Sequence, residues 1–355
     1  MIQFEGRAGI LDLSWGHPRP DLLPVHEWAA ASAHLDWRAL TYGAAAGPDS
    51  LLESLGDPGR TFVTGGASHG LALVTQLLTN PGDVVLADAP TYHLAFPILR
   101  DRGVTLLQAP ADTAAAVIRD IRASGRRVAL LYLVPTFGNP TGRSLPEDQR
   151  RELIAVARQE GVTIVEDDTY RELNYDGPAP ASLWELAGGA PVVRLGSFAK
   201  TVAPGLRLGW INAEPEIIGR LTRLGYVHSG GGVNHTTAVT MGTFRADGGY
   251  QRHVARVRSE YRAQRDVLVS ALRADFATVE SPAGGWFVWL RLPDGVTADA
   301  LLPLAEERGV SFVPGTRFWA DGPGGADRIR LSFSHLPADD LRRAAERLAA
   351  AVHRR

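Results

Sequence analysis

The chain has no cysteine and a single lysine among its 355 residues. Without cysteine it forms no disulfide, holds no metal through thiolate and offers no catalytic thiol. Excess charge of either sign is also missing. A formal net charge of −2 creates no broad field for nucleic acid or an anionic membrane. No apolar run approaches the roughly 20 residues that span a bilayer. The opening "MIQFEGRAGILDL" lacks the basic and apolar regions of a secretory signal. These absences lead us to expect a cytoplasmic protein with small-molecule partners, no nucleic acid, no membrane and no metal site.

The lone lysine is Lys200, in "RLGSFAKTVAPGLRLGW"; every other cation among the 37 Lys and Arg residues is arginine. Charge alone does not explain the exception. Lysine supplies a primary amine that can lose its proton and attack a carbon, whereas guanidinium stays protonated.

Hydrophobic residues at 45% and charged residues at 21% are ordinary for a globular protein, and the length allows a large unit and a smaller one. Short β-rich runs ("TFVTG", "DVVLAD", "VTLLQA", "VALLYLV", "VTIVEDD", "VVRLGS") alternate with helical patterns such as "HGLALVTQLL", "DTAAAVIRDIRA" and "PEDQRRELIAVARQE". This alternation predicts an α/β fold whose large domain holds a mostly parallel sheet sandwiched by helices. Ligands of such sheets bind beyond the carboxyl ends of the strands. A long charged helix, "GYQRHVARVRSEYRAQRDVLVSALRADF", leads into "GGWFVWLRLP", "GVSFVPG", "RIRLSFS" and a terminal helix, which predict a smaller α+β domain. We place the large domain at residues 36–255, and the proline-dotted arm 1–35 with residues 256–355 in the smaller one. The glycine-rich residues 321–327 predict a flexible connection.

"GGASHG" matches G-x-S-x-G between a strand and a helix, the setting of a hydrolase nucleophile elbow. Ser68 would then be a nucleophile, His335 its base and an aspartate the orienting group, which makes an α/β-hydrolase the rival reading. The same Gly66-Ala67-Ser68 turn also suits a phosphate, because a helix N-terminus presents free amides and a positive dipole end. A tight turn of small residues with no ligand is the third possibility. "SFAK" matches the S-x-x-K of serine β-lactamases, but the accompanying S-D-N and K-T-G are absent.

Further segments bear on the choice. "VPTFGNPTG" sets Asn139 after the strand "VALLYLV"; "VEDDTYREL" ends a strand in carboxylates, with Tyr170 three residues after Asp167. "GLRLGW" places Arg207 seven residues beyond Lys200, and "RIRLSFS" contains Arg330. In this order, over nearly the whole chain, the set resembles the fold-type I pyridoxal-phosphate enzymes, specifically the class I/II aminotransferases. That resemblance implies an aspartate-aminotransferase-like fold, pyridoxal 5'-phosphate joined to Lys200 as a Schiff base, and amino transfer between an amino acid and a 2-oxo acid. Elimination, decarboxylation or cyclisation of a specialised amino acid would use the same cofactor and stays open, as does a module that holds the cofactor without turnover.

The resemblance also implies roles. Lys200 forms the imine as a neutral amine and then shuttles a proton. Asp167, rather than its neighbours Glu166 and Asp168, holds the protonated ring nitrogen that makes the ring an electron sink. Tyr170 and Asn139 bond the phenolic oxygen; Asn139 also faces substrate. Gly66, Ala67, Ser68, Ser197 and Arg207 bind phosphate. Tyr92, in "DAPTYHLAF", stacks on the ring or is a core tyrosine under a loop. Arg330 clamps the substrate carboxylate with its planar fork, and Gly16 of the arm "LSWGHPRP" borders the substrate. Trp286 and Phe287 suggest apolar lining near Arg330. Tyr42, in "LTYGAAAG", reaches the phosphate of a neighbouring subunit, which implies a homodimer with shared active sites. The chain departs from the family pattern at His69, Trp15 and His17, all toward the substrate. The stretch "HSGGGVNH" (residues 228–235) predicts a loop near the dimer interface.

Overall fold

The computed structural model describes residues 6–322 and 324–353, so the first five residues of the expected arm and Pro323 of the 321–327 connection lie outside the described residues. The strands in chain order are β1 (Leu11–Asp12), β2 (Thr61–Thr64), β3 (Val84–Ala87), β4 (Thr105–Gln108), β5 (Val128–Leu133), β6 (Thr163–Asp167), β7 (Val192–Ser197), β8 (Gly209–Asn212), β9 (Phe287–Arg291), β10 (Val310–Ser311), β11 (Val313–Pro314) and β12 (Arg328–Ser332).

Strands β2 to β7 fall on the six runs read from the sequence. They join β8 in one sheet of order β2-β8-β7-β6-β5-β3-β4. The β7–β6, β6–β5, β5–β3 and β3–β4 pairs are parallel. Strand β8 runs antiparallel to both β7 and β2, so β2 points the same way as the parallel set. Alternate residues of each strand feed two cores. Val85, Leu130, Tyr132, Val165 and Val193 pack on one face, and Leu86, Leu131, Leu133, Ile164 and Val192 on the other. Burial on both faces is why these strands are continuous apolar runs rather than alternating ones.

The carboxyl ends of β2, β3, β5, β6 and β7 therefore lie along one edge of the sheet. They lead respectively into Gly66, Tyr92, Asn139, Asp167 and Lys200. The smaller unit is an antiparallel sheet of order β11-β12-β9, with β1 of the arm paired to β10. "GVSFVPG" thus forms two short strands in different sheets. Along the helix Gly249–Leu272 the packing partners change: Tyr250 and Val254 join Phe198 and Trp210, whereas Val257, Tyr261 and Leu268 join Trp286 and Phe333. The arm contains a helix, Val25–Ser32, which its proline-rich flanks concealed. Of residues 228–235, only 231–234 form a loop; 228–230 end the helix Gly225–Gly230, and His235 opens the helix His235–Ala246.

Candidate active site

Lys200 lies on the turn after β7. Its Nζ donates to the carbonyl of Gly16 at 3.4 Å and sits 4.8 Å from the ring centroid of Trp286 and 5.8 Å from that of Tyr170. The arm thus crosses directly over the amine. A side chain on Gly16 would have to fit 3.0 Å from Phe287, so the close crossing depends on glycine. Burial among these rings, with Arg330 and Arg207 adding to it, pushes the Lys200 amine down to about 8 against the opposing pull of Asp167.

The three acids at the end of β6 divide by geometry. Glu166 faces the opposite side of the sheet and accepts the amides of Leu183 and Trp184 at 2.9 Å. Asp168 is neutralised by Arg194, whose Nε donates to Oδ2 at 2.9 Å, with Arg171 at 3.8 Å. Asp167 faces the cleft, where its Oδ2 accepts from Tyr132 Oη at 2.9 Å and its buried Oδ1 has no hydrogen-bond partner. Burial pushes the Asp167 carboxyl up, and the hydrogen bond from Tyr132 opposes this.

Arg330, on β12, is buried with Nη1 donating to Asn139 Oδ1 at 2.9 Å and Nη2 to the carbonyl of Ser14 at 2.5 Å. Its guanidinium stacks 4.1 Å from the Phe287 ring centroid and 5.2 Å from that of Phe318. Burial lowers it to about 10, which leaves it charged at neutral pH. Tyr92, half-buried on the large unit, is pushed up to about 12 by burial and Asp167, opposed by Arg330 and Arg207. Ring contacts gather Lys200, Trp286, Tyr170, Phe287 and Arg330 around one space, and Asp167, Tyr92 and Arg207 act on its charges. Tyr170 closes it from the side, packed edge-on against Trp286 (6.0 Å) and Phe287 (5.8 Å).

At the far end, Gly66 caps the helix Ala67–Leu78 with φ +97°, and a Cβ there would meet Arg207 Nη2 at 2.9 Å. Glycine therefore lets the guanidinium lie over the exposed first turn, where Ser68 is found. Arg207 itself holds a left-handed φ of +47°. Ser197 Oγ accepts the amide of Ala199 at 3.1 Å, shaping the turn to Lys200. Neither histidine is seen bonded to Ser68: His69 Nδ1 accepts the Gly65 amide at 3.0 Å, and His335 Nδ1 lies 3.4 Å from the carbonyl of Pro18 in the arm. Tyr42 stands apart from these residues, 84% exposed.

Two contributors were missed in the sequence. Tyr132 was legible only as a lone hydroxyl within an apolar strand. Asn234, inside the unassigned "HSGGGVNH", donates through Nδ2 to the carbonyls of Leu206 (3.0 Å) and Arg207 (2.5 Å), fixing the backbone that presents Arg207.

The orphaned Asp167 Oδ1 at one end, the Gly66–Arg207 cradle at the other and an amine between them fit a cationic ring with an aldehyde and a phosphate, the pattern of pyridoxal 5'-phosphate. Among the described residues, no cluster of His, Asp or Glu could hold a metal ion.

Comparison with known proteins agrees. Residues 11–348 match the family "Aminotransferase class I and II". The chain is 32% identical to the 2-aminoadipate transaminase of Thermus thermophilus, covering 99% of this chain and 92% of that protein. It is 30% identical to aromatic-amino-acid aminotransferase 1 of Thermococcus litoralis, covering 99% and 90%. The Pyrococcus horikoshii kynurenine aminotransferase, solved with PMP, superposes with a TM-score of 0.90 at 28% identity over 97% and 91% of the two chains. At 24% identity, a Thermus thermophilus aspartate aminotransferase mutant shares the fold, with a TM-score of 0.81 over 96% of this chain and 91% of that one. This chain belongs to the class I and II aminotransferase family, a pyridoxal-phosphate-dependent transferase with the aspartate-aminotransferase-like fold.

Proposed function

We propose that the protein moves an amino group from an amino acid to a 2-oxo acid in two half-reactions, with Lys200 as the reacting amine. The observation that carries this reading is a depressed amine placed between a buried carboxylate with an open oxygen and a buried guanidinium. The cofactor supplies an aldehyde and an electron-accepting ring. Asp167 would hold a proton on the ring nitrogen through its open Oδ1, and Tyr132 holds that carboxylate in place. Arg207, Ser197 and the amides of the Gly66–Ser68 turn bind the phosphate. Arg330, braced by Asn139 and the Ser14 carbonyl, takes the substrate carboxylate. Lys200, its amine held against the Gly16 carbonyl and the Trp286 ring, would be the group that carries a proton to and from the substrate α-carbon. Trp286, Phe287 and Phe318 line this end, which favours a large or aromatic side chain on the donor. Elimination or decarboxylation would share every one of these contacts but would need no acceptor. Purified enzyme given an amino acid should turn over once and stop, then cycle when a 2-oxo acid is added. Continuous turnover without the acceptor would contradict the transaminase assignment.

Because the free amine is the reacting form, the rate at which Lys200 combines with an added aldehyde should follow its depressed value. For apoprotein mixed with cofactor, the rate should rise with pH through about 8 and level off above it. A lysine at its ordinary value near 10.4 would still be gaining at pH 10.

The division at residues 36–255 is supported by the change of core partners between Val254 and Val257. Assembly as a homodimer is supported by Trp37, Leu40 and Tyr42, 70%, 78% and 84% exposed on one segment. That segment is tied to the Gly231–Asn234 loop region by Thr236 Oγ1 donating to the Ala39 carbonyl (2.8 Å) and Gly232 N to the Gly43 carbonyl (3.2 Å). Adjacent large apolar residues left open in this way mark an interface. A second copy would cover them and bring its Tyr42 to this phosphate site. Light scattering should find a dimer for the native chain and a monomer with weakened cofactor binding for Leu40→Asp. A native monomer with full activity would contradict shared active sites. This reading places the enzyme in the cytoplasm and in amino acid biosynthesis; no helix among the described residues is long and apolar enough to cross a membrane.

A further inference from the structure

Arg150, in the first turn of the helix Glu147–Glu160, has no exposed surface. Burying a guanidinium costs several kcal/mol even after relaxation, and replacing a buried ion pair by apolar groups of similar volume is often neutral or stabilising. Stability alone is therefore a weak reason for this residue, and its contacts point elsewhere. Nε donates to the carbonyl of Leu145 at 2.8 Å, and Nη2 donates to the carbonyl of Pro135 at 2.6 Å and to Thr136 Oγ1 at 3.0 Å. These acceptors are the two ends of the loop that carries Asn139.

Between its ends the loop closes on itself. Gly138 N donates to the Arg143 carbonyl (2.8 Å), Gly142 N to the Gly138 carbonyl (2.6 Å) and Phe137 N to Ser144 Oγ (3.0 Å). From this frame Asn139 reaches Arg330. The remaining nitrogen of Arg150, Nη1, lies 3.5 Å from Glu166 Oε1. Glu166 neighbours Asp167 on β6 but faces the other side of the sheet. One guanidinium thus joins both ends of the Asn139 loop to the strand that presents Asp167.

We propose that Arg150 is a positioning residue that holds the Asn139 carboxamide, and through it the Arg330 guanidinium, in register with Asp167. The role rests on the aminotransferase reading. A planar fork donates to three loop acceptors through Nε and Nη2 while Nη1, with no hydrogen bond of its own, keeps its charge 3.5 Å from a carboxylate, whereas an ammonium is a point charge. Loosening the loop should weaken a contact made to substrate in both ground and transition states, which raises KM more than it lowers kcat.

The test uses holoenzyme carrying Arg150→Lys, which keeps a cation opposite Glu166. KM for the amino donor should rise about 10-fold, the size of an ordinary coupling between neighbours. The absorbance of bound cofactor should be retained. Combining Arg150→Lys with Asn139→Ala should be no worse in KM than Asn139→Ala alone, because both act through one carboxamide. A double variant whose KM is the product of the two single effects would overturn the proposal. Hydrogen exchange on the same variant needs no turnover. Exchange should quicken at the Gly138 and Gly142 amides and stay unchanged along β6 and β5; uniform quickening would mean that Arg150 only stabilises the fold. If Arg150→Lys fails to fold, Arg150→Met with Glu166→Gln removes both charges together and is read by the same cycle and the same exchange pattern. Wild-type protein that takes up no cofactor would instead defeat the aminotransferase reading and leave the exchange result standing.

Discussion

Lys200→Arg is expected to keep the positive charge and lose the enzyme. The guanidinium can still donate to the Gly16 carbonyl and stack near Trp286, so the fold and the arm crossing should survive. It cannot lose a proton at any working pH, so no covalent bond to the aldehyde forms and no free amine is available to move a proton. Turnover should fall by a factor on the order of 10⁴ or more, as when other reacting groups are removed. The phosphate cradle we propose for Gly66, Ser197 and Arg207 is untouched, so cofactor should still bind, as free aldehyde. Absorbance spectra with and without cofactor, beside steady-state rates, check both halves. Wild-type transamination by this variant would refute the role.

Asp167→Asn is the second large effect. The carboxamide can accept the hydrogen bond from Tyr132 and fill the same space, but it holds no negative charge against a protonated ring nitrogen. Preorganised electrostatic groups of this kind contribute about 3–4 kcal/mol to the transition state, so kcat should fall roughly 10²- to 10³-fold while cofactor stays bound. The neighbouring change should read differently. Asp168→Asn breaks the pair with Arg194 and leaves that guanidinium short of its partner, so it should lower the melting temperature more than kcat. If Asp168→Asn abolished turnover and Asp167→Asn did not, the assignment along β6 would be wrong by one residue.

That one-residue question shows how much the sequence carried. Both-face burial makes the six parallel strands continuous apolar runs, so they were visible, and with them the sheet edge where ligands sit. Strand β8 was not, because four residues paired antiparallel to β7 leave no run long enough to stand out from the turn at Arg207. Lys200 was legible by its uniqueness. Asp167 could be preferred over Glu166 and Asp168 only through the family resemblance, in which the carboxylate precedes the tyrosine by three residues; the physical distinction is the pleat, which turns Glu166 to the opposite core and leaves Asp168 to Arg194. The roles of Tyr132, Asn234 and Arg150 were not legible, although Tyr132 stood out as a lone hydroxyl in an apolar strand. Each acts on a residue distant in the chain, through contacts that exist only after the sheet has formed.

The central claim is that one amine, at the carboxyl end of β7, reacts with the cofactor. Holoprotein reduced with borohydride, digested and analysed by mass spectrometry should carry the reduced pyridoxyl-phosphate adduct on the peptide containing Lys200. Protein that is active yet shows no adduct on that side chain would contradict the account.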